Sequence, residues 1–510
     1  MDKTPLSPQE TKSCPPQKIL FLTNSELGEA NVFLALFTAL AKANPHVQVH
    51  LASFASLRIH ADEVSRQVLE KLPRARPLIF HEIRGLPIID AYSDVYCFGS
   101  EAISTPLRFG TTLRSLNALV SVFLPYDGPQ LVEVVSSLAD IIREVEPDLV
   151  VVNSVMSAGL TVCYHLRVKF MCLSPNSISL FAKRSQPRLE AMWKHPAPFS
   201  GYSYPVPYHL IPLNVYYLLH VTYVWRTSRR RKEATAYLAA HTGAVFRTVL
   251  DLLVARPPGC KILISSLPEL DRPLIIPPFL YPCGPIVRHA RTVAEADPEL
   301  GNWLAQGPTI YVNLGSLLWF DSYRTTELAK ALRIVMERLG KGGKIGLQVL
   351  WKLKPGKDSK DDDLFGLAHD ILDSRNRDGR VRIVDWIEAE PLSILKSGRV
   401  ICSVNHGGAS SFNEAVVAGI PQVILPVWTD CHDNAHLVEA LGIGRHGSKK
   451  TKPRWTAAEL STELLHVLEG EAAEKIRQEA EKLADLCASR GDGADTAAKI
   501  LMDELPSLRT

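Results

Sequence analysis

The most informative stretch of this chain is residues 386–435, which read WIEAEPLSILKSGRVICSVNHGGASSFNEAVVAGIPQVILPVWTDCHDNA. Within it, residues 400–404 form a short apolar run rich in β-branched side chains, which is typical of a buried parallel strand. Gly407 and Gly408 interrupt the chain soon afterwards, and residues 422–426 form the next apolar run. The pattern therefore predicts a strand, a glycine turn, a helix and a second strand.

The helix between these two strands carries polar side chains at its start. Ser410 and Ser411 are favourable N-cap residues, and the helix is expected to end before Gly419. A helix start presents backbone N–H groups without intrahelical partners and the positive end of a dipole, which suits a phosphate. Ser410 and Glu414 lie one turn apart, so a carboxylate can reach a sugar hydroxyl beside that phosphate. These features predict a nucleotide site.

This segment resembles the donor-binding box of the UDP-dependent glycosyltransferases of the GT-B fold, the family that includes UDP-glucuronosyl- and UDP-glucosyltransferases. The residues that carry the resemblance are Trp386, His406, Gly408, Ser411, Glu414, Gly419, Pro421, Pro426 and Asp430. Residues 312–316 (VNLGS) are similar to the strand and turn that open the family's C-terminal domain, and residues 281–285 (YPCGP) to its Y-x-G-P. A lone glycine-rich turn is weak evidence, but three marks in the right order are specific. Residues 28–32 (GEANV) are similar to the G-Q-A-N-V turn of a fungal cytosolic branch.

The resemblance implies an α/β protein with two Rossmann-like domains whose parallel sheets face a central cleft. A chain of 510 residues is too long for one ordinary domain, and strands alternate with helices throughout. We expect a disordered tail (1–17), an acceptor-binding domain (18–285), a linker (286–308), a UDP-sugar-binding domain (309–490) and a terminal helix returning to the first domain (491–510).

Within the first half, residues 262–265 are predicted to form the last strand, and residues 175–208 read as irregular because they are dense in proline, serine and aromatic residues.

Composition excludes several other classes of protein. A net charge of +3 shows no nucleic-acid footprint, and nine cysteines without a C-x-x-C pair indicate neither a disulfide framework nor a zinc site. Neither a secretory signal nor an apolar run approaching ~20 residues is present, so a cytoplasmic protein without a membrane span is expected. The aromatic segment 213–225 precedes a basic run that ends at residue 232. Residues 213–232 either contact a membrane surface peripherally or pack inside a domain with the arginines solvated.

The resemblance assigns a set of residues to the nucleotide: Ser316, Trp386, His406, Gly408, Ser410, Ser411 and Glu414. Trp386 would stack on the uracil ring, and His406 would contact the diphosphate. The serines would also contact phosphate, and Glu414 would accept hydrogen bonds from the ribose hydroxyls. Structural alternatives are a core tryptophan at position 386 and simple helix capping by the serines.

The sugar end of the site is less well defined by the sequence. Asp430 stands where the family places an acid that binds sugar hydroxyls, although it can also cap a helix starting near Asp433. Cys431 stands where the family has glutamine, which leaves the identity of the sugar open. No metal and no cofactor besides the UDP-sugar co-substrate are expected, because helix N–H groups and His406 can stabilise the departing UDP. The D-x-D at residues 361–363 lies in an acidic, hydrophilic loop.

The catalytic histidine and aspartate of the family are both replaced, by Glu29 and Asn153. Glu29 can itself act as the base, although a helix start is expected to lower its pKa and so favour an acidic acceptor such as a phenol or enol. A second alternative is that His195, His209 or His432 reaches the cleft. The third is a protein that binds a nucleotide sugar without turnover.

The function expected is transfer of a hexose, with glucose as the first choice, from a UDP-sugar to a hydroxyl group of an apolar small molecule, such as a specialised metabolite, polyketide or lipid. The family implies inversion at the anomeric carbon. Aromatic, proline-rich loops in the first half are compatible with an apolar acceptor pocket. The alternatives are a nucleotide-sugar-binding regulator, and an epimerase on a similar two-domain frame.

Overall fold

The computed structural model describes residues 16–95, 107–289, 291–315, 318–340, 346–356, 363–373 and 379–505. These residues form two parallel β-sheets flanked by helices. The strands are β1 (Lys18–Leu22), β2 (Gln48–Ser53), β3 (Ile79–Glu82), β4 (Leu149–Asn153), β5 (Phe170–Ser174), β6 (Ile262–Ile264), β7 (Leu280–Pro282), β8 (Thr309–Asn313), β9 (Gln348–Lys352), β10 (Val381–Val384), β11 (Val400–Asn405), β12 (Gln422–Ile424) and β13 (Gly444–His446).

The strand order of both sheets is Rossmann-like. The first sheet runs β3-β2-β1-β4-β5-β6-β7 and the second β10-β9-β8-β11-β12-β13. Every strand pair is parallel, which confirms the expected fold class. The order reverses between β1 and β4 and again between β8 and β11, and ligands of open parallel sheets bind at the carboxyl ends of the strands where such a reversal occurs. The topology therefore marks one binding position on each sheet.

The helices connect successive strands and cover both faces of each sheet. They are α1 (Leu27–Ala43), α2 (Arg58–Lys71), α3 (Ile88–Val95), α4 (Phe109–Phe123), α5 (Gly128–Val145), α6 (Ser157–Leu166), α7 (Ile178–Ala182), α8 (Glu190–Trp193), α9 (Ile211–Thr227), α10 (Arg229–Thr242), α11 (Val249–Val254), α12 (Val293–Ala296), α13 (Pro298–Leu304), α14 (Ser322–Gly340), α15 (Leu364–Asp373), α16 (Pro391–Leu395), α17 (Ala409–Val417), α18 (Thr429–Ala440), α19 (Ala457–Leu468), α20 (Gly470–Arg490) and α21 (Gly493–Glu504).

Helix α1 is the central element of the first unit. Most of its side chains are buried, since it packs between the first sheet and the final helix of the chain. That final helix, α21, reaches it through small and aliphatic residues, including Ala497, Ala498 and Leu501. Small side chains let the two helices approach closely. The end of the chain therefore supports the helix that begins beside Glu29.

Two details of the first half differ from the sequence prediction. Its last strand is β7, not residues 262–265, because a further three-residue strand pairs with β6. The segment 175–208 is not irregular throughout, since it contains the short helices α7 and α8. β7, α7 and α8 are each too short to show a clear hydrophobic period.

Candidate active site

Two strand-terminal asparagines shape the turns on the second sheet. At the end of β8, Asn313 accepts a hydrogen bond from the backbone N–H of Gly315 (3.1 Å), and at the end of β11, Asn405 accepts one from Gly407 (2.8 Å). An asparagine side chain that bonds the backbone two residues on closes a tight turn. Gly315 and Gly407 adopt positive φ angles, which only glycine adopts without strain. These two turns bring the chain to the switch point between β8 and β11.

His406 lies between these turns, and glycines flank its ring. A Cβ atom at Gly408 would lie 2.4 Å from His406 Nε2, and one at Gly315 would lie 2.7 Å from Cε1. Burial lowers the pKa of His406 to about 4, so the imidazole is neutral at pH 7. Its Nδ1 is buried and has no hydrogen-bond partner among the residues that the structure describes. A buried polar atom without a partner is rare in folded proteins and is consistent with a ligand contact at this position.

Helix α17 begins directly behind His406, and its N-cap is Gly408, which brings no side-chain cap. The N-cap assignment of Ser410 and Ser411 is therefore wrong, because the helix starts earlier and both serines lie within its first turn. The Ser410 hydroxyl donates to the carbonyl oxygen of Gly28 in the first unit (3.1 Å). The start of α17 thus faces the turn after β1, and the first N–H groups of a helix have no intrahelical partner.

Glu414 lies one turn further along α17 and is electrostatically coupled to an arginine from another part of the chain. Burial raises its pKa to about 7, and the positive charge of Arg288 opposes that rise. Arg288 is largely buried and forms an ion pair with Glu390. The arginine follows the YPCGP motif, so the segment between the two sheets contributes a charge to the candidate nucleotide site.

Trp386 follows β10, at the edge of the second sheet, and is 52% exposed. Its ring therefore offers an open face for stacking, unlike the core tryptophan considered as an alternative. The Lys352 ammonium lies 4.1 Å from the ring centroid, a cation–π contact that fixes the ring's position. The predicted phosphate contact Ser316 lies outside the described residues.

Asp430 lies in the first turn of α18, which begins at Thr429 rather than near Asp433. Burial raises the pKa of Asp430 above its usual value. Cys431 is only 2% exposed, so its thiol offers a sugar little surface. On the same helix, Asn434 donates to the carbonyl oxygen of Gly407 (2.8 Å). This hydrogen bond ties α18 to the turn that carries His406.

The predicted donor residues therefore follow the carboxyl edge of one sheet, in the strand order β10, β9, β8, β11, β12. Trp386 lies at one end of this row, His406 near its middle and Asp430 at the other end. Four strand spacings of ~4.8 Å span roughly 19 Å. That length is comparable to the length of an extended nucleoside diphosphate sugar.

Glu29 and Asn153 meet at the switch point of the first sheet, between β1 and β4. Asn153 Nδ2 donates to Glu29 Oε2 at 2.8 Å, and Asn153 Oδ1 accepts from the backbone of Val155 at 2.9 Å. Burial raises the pKa of Glu29 to about 7; the hydrogen bond from Asn153 opposes the rise, while the negative charge of Asp430 adds to it. The expectation that the helix start lowers this pKa is wrong, because desolvation is the larger effect.

A small pocket lies close to this pair. It is lined by Asn24, Ile88, Val122, Phe123, Leu124, Pro125, Tyr126, Leu131, Val155, Met156, Ser157, Ala158 and Phe246. Most of these side chains are apolar, and the pocket adjoins Val155, which is bonded to Asn153. The pocket is therefore mostly apolar and, as it stands, has room for about one water molecule.

The three histidines considered as alternative bases differ in position. His195 and His432 are buried, and burial lowers their pKa values to about 4 and about 3. His209 is exposed in a short turn before α9. The hydrogen-bond partner of Glu29 is Asn153 and not one of these histidines. The geometry thus favours the carboxylate over any of the three.

Sequence reasoning missed several residues that shape the site. Arg288 and Lys352 lie beside Glu414 and Trp386, and Gly315 makes room for the His406 ring. Asn413 on α17 donates to the carbonyl oxygen of Ser265 at the end of the first sheet (2.9 Å). Gly315 was visible within the VNLGS motif, but the other contacts join distant parts of the chain and leave no local signal.

The described residues contain neither a cluster of metal ligands nor a helix that could span a membrane. No group of three or more His, Cys, Asp or Glu side chains in the described ranges is arranged to hold a metal ion. Among the helices listed above, none combines the length and the apolar character needed to cross a bilayer.

Known proteins are similar to this chain in sequence and in architecture. Residues 368–502 match the family model of the erythromycin biosynthesis protein CIII-like C-terminal domain. The chain is 31% identical over 441 residues to glycosyltransferase sdnJ of Sordaria araneosa, covering 85% of this chain and 84% of that protein. A UDP-glycosyltransferase of Talaromyces amestolkiae is 33% identical over 217 residues, 41% of this chain and 39% of its own length.

Solved structures agree on the fold. A UDP-glucosyltransferase from Polygonum tinctorium, described as capable of glucosylating indoxyl, superposes with a TM-score of 0.62 at 17% identity. The alignment covers 97% of this chain and 99% of that one. Three observations agree: the two parallel sheets, the sequence marks of the donor box in their expected order, and a relative that aligns over most of both chains. We conclude that the chain belongs to the UDP-glycosyltransferase family and is a transferase of the GT-B fold.

Proposed function

We propose that this enzyme transfers a hexose, with glucose as the first choice, from a UDP-sugar to a hydroxyl group of an apolar small molecule, with inversion and without a metal ion. The observation that carries the proposal is the hydrogen bond between Glu29 and Asn153, at the switch point that faces the donor helices. It places a carboxylate with a pKa of about 7 where the family has its catalytic base.

In the proposed reaction, Glu29 accepts the proton of the acceptor hydroxyl while the hydroxyl oxygen attacks the anomeric carbon from the face opposite UDP. The bond between that carbon and the diphosphate oxygen breaks, and its electron pair leaves with UDP. The N–H groups at the start of α17 and the His406 ring stabilise the negative charge that develops there. Because the pKa of Glu29 is about 7, the base is half ionised at pH 7 and mostly ionised at pH 8, and it is still strong enough to accept the proton.

Asn153 acts as a positioning residue in this scheme. Its amide holds one oxygen of Glu29, while its own carbonyl is fixed by the backbone N–H of Val155. An asparagine cannot ionise, so it orients the base without adding a second negative charge. In the family, an aspartate stabilises a histidine that becomes positively charged on accepting the proton. Here the base is an anion before proton transfer, so a neutral amide partner avoids repulsion between two carboxylates.

Asp430 has two roles in the proposal. It binds sugar hydroxyls, and its charge raises the pKa of Glu29 from the opposite unit. We place the acceptor at the apolar residues that line the narrow pocket beside Asn153, and these residues move apart to admit it. The relatives are glycosyltransferases, so we adopt neither the regulatory binder nor the epimerase.

A product assay tests the proposal. Purified enzyme is incubated with UDP-glucose, UDP-galactose or UDP-N-acetylglucosamine and a panel of phenols and enols that includes indoxyl, because the solved neighbour is described as glucosylating it. We expect UDP release that is unaffected by EDTA and a product with the anomeric configuration opposite to that of the donor. A product that retains the donor configuration would overturn the mechanism, as would UDP release that requires a divalent metal.

A further inference from the structure

Helices α4 and α9 form a surface outside the donor site, which we call the α4/α9 face. The two helices lie side by side and run in the same direction. Phe109 stacks on Tyr216 with centroids 5.9 Å apart, Asn117 bonds His220 at 2.8 Å, and Phe123 packs against Trp225 at 5.8 Å. The segment predicted either to touch a membrane or to pack inside a domain is therefore a surface helix.

The outward side of α9 is apolar. Its exposed residues Pro212, Tyr216, Leu219 and Tyr223 recur every three or four positions, so they form one stripe along the helix. Leu219 is 58% exposed and Tyr223 is 65% exposed, and Phe109 on α4 adds a ring that is 53% exposed. Single exposed apolar residues are ordinary, but a contiguous set on one face marks an interaction surface.

The charges carried by α4 and α9 themselves have one sign. Neither α4 nor α9 contains an aspartate or a glutamate. Arg114 of α4 and its N-cap residue Arg108 are exposed, and so is Arg226 of α9. Lys232, in the first turn of α10, is also exposed, and the exposed Glu233 follows it. Part of the basic run serves the fold instead: Arg230 donates to the carbonyl oxygens of Pro125 and Tyr126.

The same helices reach the cleft. The end of α4 supplies Val122 and Phe123 to the candidate acceptor pocket. Behind the face, Phe199 packs edge-on against Trp428 (5.6 Å), two residues before Asp430. Whatever covers the α4/α9 face therefore lies next to the acceptor pocket.

We propose that the α4/α9 face docks on the surface of an anionic lipid bilayer. Tyrosine and leucine side chains enter the boundary between headgroups and acyl chains, and arginine and lysine side chains contact the anionic headgroups. The docking holds whichever sugar is transferred. Its consequence, an apolar acceptor that reaches the pocket from the bilayer, rests on the proposed function.

The test is sedimentation of the full chain with vesicles of phosphatidylcholine alone and of phosphatidylcholine mixed with phosphatidylserine. We expect binding to the mixed vesicles that weakens as salt is added. Replacing both exposed residues, in Leu219→Ser/Tyr223→Ser, lowers the partition coefficient at least about tenfold. In Arg226→Glu/Lys232→Glu it falls at least about 20-fold, since each cation near an anionic surface contributes about fivefold.

The matched control is Val254→Ser/Ile275→Ser, which changes two exposed apolar residues away from this face and is expected to bind vesicles like the unmodified chain. Melting temperatures establish that all variants fold, and turnover without vesicles separates docking from catalysis. The proposal is overturned if the chain ignores mixed vesicles, or if the Leu219/Tyr223 variant binds them normally. It is equally overturned if the unmodified chain self-associates without binding vesicles and the Leu219/Tyr223 variant no longer self-associates. In that case a second copy of the chain covers the face.

Discussion

Replacing Asn153 with alanine removes the only side chain that donates to Glu29 among the described residues, at 2.8 Å. The hydrogen bond stabilises the ionised carboxylate, and so it holds the pKa of Glu29 below the value that burial alone would give. Loss of the donor therefore raises this pKa further. Turnover requires the ionised base, so the acid limb of the pH profile moves to higher pH.

The size of the shift follows from the energy of the bond. A hydrogen bond to a charged group contributes about 1.5–3 kcal/mol, and one pKa unit corresponds to about 1.4 kcal/mol. The acid limb of kcat/KM, near pH 7 in the unmodified enzyme, is expected to move up by about one to two units. Activity at pH 7 falls about 5- to 50-fold and recovers as the pH approaches 9.

The assay is UDP release from the best donor and acceptor pair, measured between pH 5 and pH 9. Glu29→Gln is the companion variant, because it keeps the shape of the side chain but cannot accept the proton. It should lose about 10²- to 10⁴-fold in kcat at every pH, without recovery. Glu70→Gln, an exposed carboxylate on α2, is the control and should leave the profile unchanged. An unshifted acid limb in Asn153→Ala, or an active Glu29→Gln variant, would refute the role of this pair.

Three further predictions concern stability and donor binding. Because burial raises the pKa of Glu29 from 4.5 to about 7, the favourable contribution of its protonated form is complete below pH 4.5 and is lost as the pH rises through 7. Glu29→Gln should therefore raise the free energy of unfolding at pH 8 by up to roughly 3 kcal/mol but leave it unchanged at pH 4.5. The melting temperature measures this difference, and equal effects at both pH values would contradict the prediction. Gly408→Ala places a Cβ 2.4 Å from His406 Nε2, so the ring must move and the KM for the donor should rise at least about tenfold. Gly340→Ala, which meets no atom within 4 Å, should leave that KM unchanged. Trp386→Ala should weaken UDP binding by about 1–3 kcal/mol through lost base stacking, as measured by the shift in melting temperature with UDP; an unaltered shift would place the uracil elsewhere.

The sequence predicted the parts of the fold that depend on local pattern. The apolar runs before Asn153, Asn313 and Asn405 are buried strands, and each ends in an asparagine that closes the turn after it. Parallel strands present their carboxyl ends on one edge, so the residues after those strands were predicted to meet there. The three-residue strands β7 and β13 were missed, whereas β6 and β12 of the same length were predicted, because residues 280–282 (LYP) and 444–446 (GRH) are not continuous apolar runs.

The electrostatics of the site were not predictable in this way. The position of Glu29 at a helix start predicts a lowered pKa, whereas burial raises it. This burial comes from chain segments that are distant in sequence. Arg288 reaches Glu414, and Asp430 influences Glu29, only after the two units pack together. A local pattern identifies the titratable group, but the tertiary packing sets its proton affinity.

The most direct test of the donor site is isothermal titration calorimetry with UDP, because the whole account depends on a diphosphate held at the start of α17 beside His406. The unmodified chain should bind one UDP without added metal, and His406→Ala should bind it at least about tenfold more weakly, given that a hydrogen bond to a charged group contributes about 1.5–3 kcal/mol. No heat of binding in the unmodified chain, or equal affinity in the variant, would contradict this assignment.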